Sequence, residues 1–158
     1  MSDSNTEAPE VVDAVETTVA VIRGVVDVSE LTQFFDRSFS ALAAEIAKQG
    51  IEIVGPAFAR YHGPPATTAD LEVGFPTDRP VSASGDITAS VLPGGRVARA
   101  VHHGSYDQLG QAWERLQQWI AQQGLTPSDD LWEVYVTEPR PDMDPAELRT
   151  ELNWVLRG

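Results

Sequence analysis

The stretch VARAVHHGSYDQLGQAWERLQQWIAQQGL, residues 97–125, decides the fold because it places a strand directly before an amphipathic helix. The part before Gly104 is strand-like. Ser105 and Gln108 form the S-x-x-Q pattern of a capping box, which predicts that a helix begins at Ser105. The predicted helix continues to Gly124. Its apolar stripe consists of Leu109, Ala112, Trp113, Leu116, Trp119 and Ile120.

A similar strand and helix occur earlier in the chain. The run TTVAVIRG, from Thr17 to Gly24, is short and β-branched, as strands are. Ser29 is the predicted N-cap of a helix that ends at Gly50. The apolar stripe of this helix must face a sheet, and its members are Leu31, Phe34, Phe35, Phe39, Leu42, Ala43 and Ile46.

The remaining strand-like stretches follow the two helices. GPAFARYH and DLEVGFP, residues 55–62 and 70–76, come after the first helix and are separated by a proline-rich turn. LWEVYVTE and LRTELNWV, residues 131–138 and 148–155, come after the second. One more strand is predicted between Asp86 and the turn at Pro93.

The second half of the chain repeats the spacing of the first. Tyr61 follows Gly50 by eleven positions. Tyr135 follows Gly124 by the same distance, so we expect the two tyrosines at equivalent places on equivalent strands. The predicted fold class is α+β: tandem duplicated βαββ units that form an antiparallel sheet with two long helices and a central ligand cleft.

The charge of the chain excludes several kinds of partner. It has 24 Asp and Glu against 11 Lys and Arg, a net charge of -13 over 158 residues. An acidic surface repels phosphate, so we expect no direct nucleic-acid binding and no association with anionic membranes. No apolar run approaches the roughly 20 residues of a membrane helix. With no cysteine and no signal pattern, the chain is predicted to be cytoplasmic.

The acidic residues of the N-terminus suggest two regions. Residues 1–15 contain Asp3, Glu7, Glu10 and Asp13 without any Lys or Arg. We predict a disordered acidic lead-in over residues 1–15 and one domain over residues 16–158. The lead-in is too short to hold a helix-turn-helix domain.

Together, these stretches resemble the GyrI-like, or bacterial transcription-activator effector-binding, domain family. The resemblance covers nearly everything after the lead-in. It implies a duplicated βαββ fold with a central pocket for large small molecules that are often aromatic and cationic. Members of the family include drug-sensing regulators fused to DNA-binding modules, stand-alone proteins such as a gyrase inhibitor, and hydrolases that open cyclopropane rings of genotoxic natural products. This chain is similar to the stand-alone members.

The strand WEVYV, residues 132–136, contains the first candidate site. Glu133 and Tyr135 share one face of this strand because side chains alternate along it. From the residues alone, that face is the solvent side of a sheet as readily as a pocket wall. The resemblance implies that both side chains point into the pocket. Glu133 is then a counter-charge for cations and, in hydrolytic members, a catalytic group paired with Tyr135.

Four further residues are predicted ligand contacts. Tyr61 is the repeat partner of Tyr135, and Phe58 lies on the same strand as Tyr61. Glu72 would add a second carboxylate, with solvent exposure as the alternative. Tyr106 follows the predicted helix cap and would reach the mouth of the cleft.

The remaining residue types indicate neither a metal nor a cofactor. His102 and His103 are adjacent on a strand and point to opposite faces, so they cannot chelate one metal together. His62 is distant from both in the sequence. We therefore predict structural or surface histidines. Trp113 and Trp119 lie on the helix stripe and are predicted to be core residues.

These observations lead to three functional hypotheses. The first is a stand-alone protein that senses or sequesters a bulky apolar or cationic small molecule, with a separate regulator as a possible partner. The second is a hydrolase that opens a cyclopropane ring with Glu133 and Tyr135. The third is an acidic inhibitor that interacts with gyrase.

Overall fold

The computed structural model describes residues 8–63, 67–105, 108–137 and 144–157. Strand-like and helical stretches of the sequence become eight strands and two α-helices within these ranges. Their bounds are β1 Glu10–Ala14, β2 Thr17–Asp27, α1 Leu31–Lys48, β3 Phe58–His62, β4 Thr68–Pro76, β5 Ile87–Leu92, β6 Gly95–His103, α2 Leu109–Gln122, β7 Thr126–Tyr135 and β8 Arg149–Arg157.

The eight strands form one sheet in the order β1-β6-β8-β7-β3-β4-β2-β5, and every neighbouring pair is antiparallel. The order β6-β8-β7 on one side of the centre mirrors β2-β4-β3 on the other, and the two groups meet where β7 pairs with β3. The predicted α+β class with an antiparallel sheet and two helices is confirmed. The tandem duplication and the central cleft stay predictions. No helix in the described ranges has the length and apolar character needed to cross a membrane.

The two helices share one face of the sheet, which we call the helix face. Phe34, Leu42 and Ile46 of α1 belong to the same buried cluster as Leu116 and Ile120 of α2. Alternate residues of the central strands complete this cluster, because every second side chain of a strand points to the same side. This cluster between the helices and the sheet contains most of the buried apolar residues in the described ranges.

The opposite face of the sheet is concave. Arg60 on β3 donates through Nη1 to the carbonyl oxygen of Val91 at 3.1 Å, although Val91 lies on β5, three strands away in the sheet. The sheet therefore curls toward this side. Strands near both ends of the sheet contribute to one cluster there, which contains Val19, Val21, Phe58, Leu92, Val97 and Trp132.

The prediction of a disordered lead-in over residues 1–15 is wrong for Glu10–Ala14, which forms β1 at the edge of the sheet. Val12 and Ala14 pack against the concave-face cluster, so the strand has an apolar side. Two of its acidic residues also stand opposite arginines on β6: Glu10 opposite Arg99 and Asp13 opposite Arg96. The register thus places two arginines in the neighbouring strand, although Arg99 lies 3.5 Å from Glu151 of β8.

Both predicted N-caps, Ser29 and Ser105, are wrong. Glu30 is the N-cap of α1 and Gln108 that of α2, and neither side chain makes a cap hydrogen bond. A 3-10 turn over Val28–Glu30 delays the start of α1. Before α2, the backbone carbonyl of Ser105 accepts from the amide of Gln108 at 3.2 Å, so a turn precedes the helix.

The predicted helix ends are confirmed, and the two ends have the same geometry. Gly50 follows α1 with a φ of 69°, and Gly124 follows α2 with a φ of 72°. In each case the backbone amide two residues after the C-cap donates a hydrogen bond to a carbonyl oxygen in the last turn of the helix. In α1, the amide of Ile51 donates to the carbonyl oxygen of Ile46. Glycine is favoured here because a left-handed φ strains any residue with a Cβ atom.

A substitution at Gly74 on β4 tests how closely β4 packs against β2. A Cβ atom at Gly74 would overlap the carbonyl oxygen of Ala20 and lie 2.9 Å from Cγ1 of Val21. We expect Gly74→Ala to lower the free energy of unfolding by about 2 kcal/mol or more, because the backbone of β2 must move. Gly110→Ala is the control, since a Cβ atom there meets nothing within 4 Å. In α2 it should stabilise by about 0.5–1 kcal/mol. Urea unfolding measures both, and a wild-type midpoint for Gly74→Ala would contradict the close packing.

Candidate functional site

One charged residue interrupts an apolar row beneath the helices. The register of the sheet places seven residues from seven strands side by side on the helix face. The row reads Ala100, Leu152, Glu133, Ala59, Val73, Ile22 and Ile87. Glu133 is the charged member, and it is 6% exposed. The sheet therefore holds a carboxylate where its neighbours are aliphatic.

Both oxygens of Glu133 accept hydrogen bonds from aromatic side chains. Trp113 of α2 donates its indole N–H to Oε1 at 3.0 Å. Tyr135, two residues along β7, donates its hydroxyl to Oε2 at 2.7 Å. The tyrosine reaches the carboxylate because residues i and i+2 of a strand lie on one face. These bonds fix the orientation of the carboxylate.

Among the described residues, no cation compensates the charge of Glu133. In the described ranges, no Lys, Arg or His side chain lies within salt-bridge distance of it. Burial raises the pKa of Glu133, and the hydrogen bonds from Tyr135 and Trp113 oppose that rise without cancelling it. A buried and unpaired carboxylate is costly to the fold and is strongly attractive to a positive ligand.

Further aromatic rings pack against the two side chains that donate to this carboxylate. Phe35 of α1 makes an edge contact with Tyr135, with ring centroids 6.4 Å apart. Phe39 continues the cluster at 6.1 Å from Phe35. On the other side, Trp113 makes an edge contact with Trp154 at 5.7 Å. The two helices thus bring their aromatic residues to the same strand from opposite sides.

Tyr61 belongs to this site. It is buried and stands opposite Leu131 on β7, so it shares the helix face with Glu133. Burial raises the pKa of Tyr61, and the negative charge of Glu133 raises it further. The structure therefore brings together three of the predicted residues, Glu133, Tyr135 and Tyr61.

The structure does not bring Glu72 or Phe58 to Glu133, because both lie on the concave face of the sheet, and their role as ligand contacts stays a prediction. Glu72 faces the concave side, where its carboxylate lies 3.6 Å from Nη1 of Arg60 and 4.0 Å from Nε2 of His62. Phe58 is buried in the concave-face cluster with Trp132. Side chains alternate along a strand, and on these two strands Val73 and Ala59 point to the helix face. Their neighbours Glu72 and Phe58 therefore point to the concave face. Tyr106 lies outside the described residues.

Sequence reasoning missed two residues of the site, Trp113 and Phe35. Trp113 lies on the apolar stripe of α2 and was predicted to be core, yet its N–H is bonded to Glu133. A buried indole N–H needs an acceptor, and that requirement is the signal in the sequence. Phe35 is only partly buried, whereas its neighbour Phe34 fills the core. In the described ranges, no group of three or more His, Asp or Glu side chains could hold a metal ion.

Several solved structures share this fold. The C-terminal domain of EcmrR is 22% identical, with a TM-score of 0.84 over 95% of this chain and 97% of that domain. In the EcmrR–DNA complex the chain spans 57% of the EcmrR chain. A hydrolase encoded by lin2189 from Listeria innocua is 15% identical, with a TM-score of 0.68 over 98% of this chain and 94% of its own. SAV2435 bound to tetraphenylphosphonium is 14% identical, with a TM-score of 0.67 over 96% of this chain and 95% of the SAV2435 chain.

A family model gives the assignment that these distant structures cannot give. No curated protein matches the chain. The model of the GyrI-like small molecule binding domain matches residues 7–156, nearly the whole sequence. The match includes β7, which contains both Glu133 and Tyr135. This chain therefore belongs to the GyrI-like small-molecule-binding domain family.

Proposed function

We propose that this chain binds a bulky, aromatic or apolar organic cation at Glu133 and thereby senses or sequesters it. One observation carries the proposal: Glu133 is buried and hydrogen-bonded by Trp113 and Tyr135, but no described cationic side chain neutralises it. A cation in contact with this carboxylate would supply the missing charge.

The surroundings of Glu133 favour a cation whose charge is spread over a large apolar body. Such a cation loses little hydration free energy on burial, whereas a small ammonium loses much. Each aromatic face adds a cation–π attraction of roughly 0.5–2 kcal/mol. Phe35, Trp113 and Tyr135 offer three such rings around the carboxylate. SAV2435, which has this fold, is bound to tetraphenylphosphonium, a cation of this kind.

Glu133→Gln tests the counter-charge. The substitution keeps the size of the side chain but removes its charge and replaces one of its two acceptor oxygens by an NH2 donor. We expect the affinity for tetraphenylphosphonium, measured by tryptophan fluorescence and calorimetry, to fall at least tenfold, or by about 1.4 kcal/mol. Glu72→Gln is the matched control, because Glu72 lies on the opposite face beside Arg60. It should keep wild-type affinity. Equal affinities for wild type and Glu133→Gln would contradict the proposal.

The raised pKa of Glu133 predicts how binding and stability change with pH. The folded chain holds this proton more tightly than the unfolded chain, whose carboxyl titrates near its ordinary value of 4.5. As pH rises from 4.5 through the folded pKa, Glu133 therefore contributes progressively less stability, while cation affinity increases. Glu133→Gln should show neither trend. Urea unfolding and dye titration across this pH range measure both, and parallel curves for the two proteins would refute the assignment.

The second candidate function is hydrolysis of a strained cyclopropane ring. The bond of 2.7 Å between the Tyr135 hydroxyl and Glu133 favours it, since the two groups already act as a pair. A carboxylate with a raised pKa is also a suitable general base near neutral pH. In this reaction Glu133 takes a proton from water and the water oxygen bonds to a ring carbon. A ring carbon–carbon bond then breaks, and its electron pair moves to a conjugated oxygen that Tyr135 hydrogen-bonds.

Tyr135→Phe separates binding from hydrolysis. The variant keeps the aromatic ring next to Phe35 but lacks the hydroxyl. If the chain is a hydrolase, the variant should bind a cyclopropane-bearing DNA alkylator with wild-type affinity and form ring-opened product at least a hundredfold more slowly. Chromatography of the product measures this rate. Absence of ring-opened product with the wild type would eliminate the hydrolase and leave the binding function.

The third hypothesis, an acidic protein that interacts with gyrase, stays a prediction from the net charge of -13. Part of that charge is compensated within the sheet. Arg23 forms an ion pair with Asp70, and Arg60 forms one with Asp130. These two carboxylates present less negative charge to a basic partner than unpaired ones would.

A further inference from the structure

A second polar row crosses the helix face next to the row of Glu133. Its members are His102 on β6, Thr150 on β8 and Tyr135 on β7, which stand opposite one another in adjacent strands. His102 and Thr150 are 0% exposed. The Tyr135 side chain joins this row to the site, because its hydroxyl donates to Glu133. A buried histidine and a buried threonine thus lie directly beside the proposed cation pocket.

The proton of His102 can be placed from its one hydrogen bond. Nε2 of His102 lies 3.0 Å from the backbone carbonyl oxygen of Ser105. A carbonyl oxygen only accepts, so Nε2 carries the proton in the neutral ring. Nδ1 is therefore an acceptor with a free lone pair. This atom is buried and has no hydrogen-bond partner among the described residues.

Oγ1 of Thr150 is also buried without a partner. Side chains directly opposite each other in an antiparallel sheet have Cβ atoms roughly 4.5–5.5 Å apart. The two orphaned atoms, Nδ1 of His102 and Oγ1 of Thr150, do not bond to each other, although the residues that carry them stand directly opposite in the sheet. Buried polar atoms in native proteins are nearly always satisfied by protein, water or ligand. Two such atoms side by side therefore indicate a position for a small polar group.

We propose that His102 and Thr150 form a hydroxyl-binding subsite of the Glu133 pocket, which water occupies when no ligand is bound. This inference rests on the proposed cation binding and narrows it: the preferred ligand is an aromatic cation with a hydroxyl group to one side of its charged centre. The hydroxyl donates to Nδ1 of His102 and accepts from Oγ1 of Thr150. An ether oxygen cannot donate, and an ammonium group cannot accept, so the pair selects a hydroxyl.

Matched phosphonium cations test the subsite. Tetraphenylphosphonium is compared with the 2-, 3- and 4-hydroxyphenyl triphenylphosphonium isomers and with their methyl ethers. We expect the wild type to bind at least one hydroxy isomer about threefold to tenfold more tightly than the parent cation, as one net hydrogen bond provides. The methyl ethers should show no gain. Titration calorimetry on the full chain measures all of these affinities.

Three variants identify the atoms responsible. Thr150→Val removes the hydroxyl but keeps the shape of the side chain. His102→Gln places an amide N–H where Nε2 was, so that the bond to Ser105 is kept and the Nδ1 acceptor is lost. Both variants should bind the hydroxy isomers and the parent cation equally well. Thr77→Val is the control. Thr77 lies outside this site, and its buried hydroxyl also has no partner among the described residues. It should keep the wild-type preference.

The results separate this inference from the proposed function. If tetraphenylphosphonium binds through Glu133 but no hydroxy isomer is preferred, or if the preference survives in Thr150→Val and His102→Gln, the subsite is wrong and cation binding stands. If no phosphonium binds, cation binding is wrong, and the nitrogen resonance of His102 decides the subsite. Bridging water predicts that Thr150→Val shifts the ¹⁵N signal of Nδ1 while Thr77→Val does not. An unchanged signal would overturn the subsite.

Discussion

The burial of the Glu133 carboxylate is the constraint around which the helix face is organised. An ionised carboxylate can be held among aliphatic neighbours only if its oxygens are hydrogen-bonded. The donors come from two places, Trp113 on α2 and Tyr135 on the same strand as Glu133. Helix α2 must therefore lie over the face of β7 to which Glu133 and Tyr135 point. Phe35 then fixes the position of Tyr135 from the side of α1. A leucine at position 133 would fit the apolar row better, so the buried carboxylate lowers the stability of the fold relative to an apolar side chain.

The two faces of the sheet treat their charges differently. On the concave face, Arg60 donates to both carboxylate oxygens of Asp130, at 2.8 and 2.7 Å, and also lies 3.6 Å from Glu72. Charges there are paired within the protein, and they stabilise a strongly curved sheet. On the helix face, Glu133 has hydrogen-bond donors but no described counter-charge. The contrast is therefore between carboxylates that are paired with arginine and one that is held by neutral donors.

Local patterns predicted the elements well where local interactions decide them. The glycines at 50 and 124 end the helices because their left-handed backbone is a property of those residues. Helix starts were predicted less well, since a turn and a backbone carbonyl replace the expected serine caps. The strand Glu10–Ala14 was missed because its acidic residues find arginines only across the sheet, on β6. Likewise, Glu72 resembled Glu133 in sequence but faces the other side, next to Arg60.

Sequence patterns were sufficient to predict the α+β class, the family resemblance and the shared face of Glu133 and Tyr135, because strand alternation places residues two apart on one face. Tertiary structure decided which face that is. It also decided that Trp113 bonds to Glu133, that Tyr61 joins them, and that His102 and Thr150 stand side by side with unsatisfied atoms. These relations depend on strand order and register, which bring together residues 48 positions apart, as His102 and Thr150 are, or 72 apart, as Tyr61 and Glu133 are. No local periodicity encodes such a pairing, since it results from the packing of the whole sheet beneath its two helices.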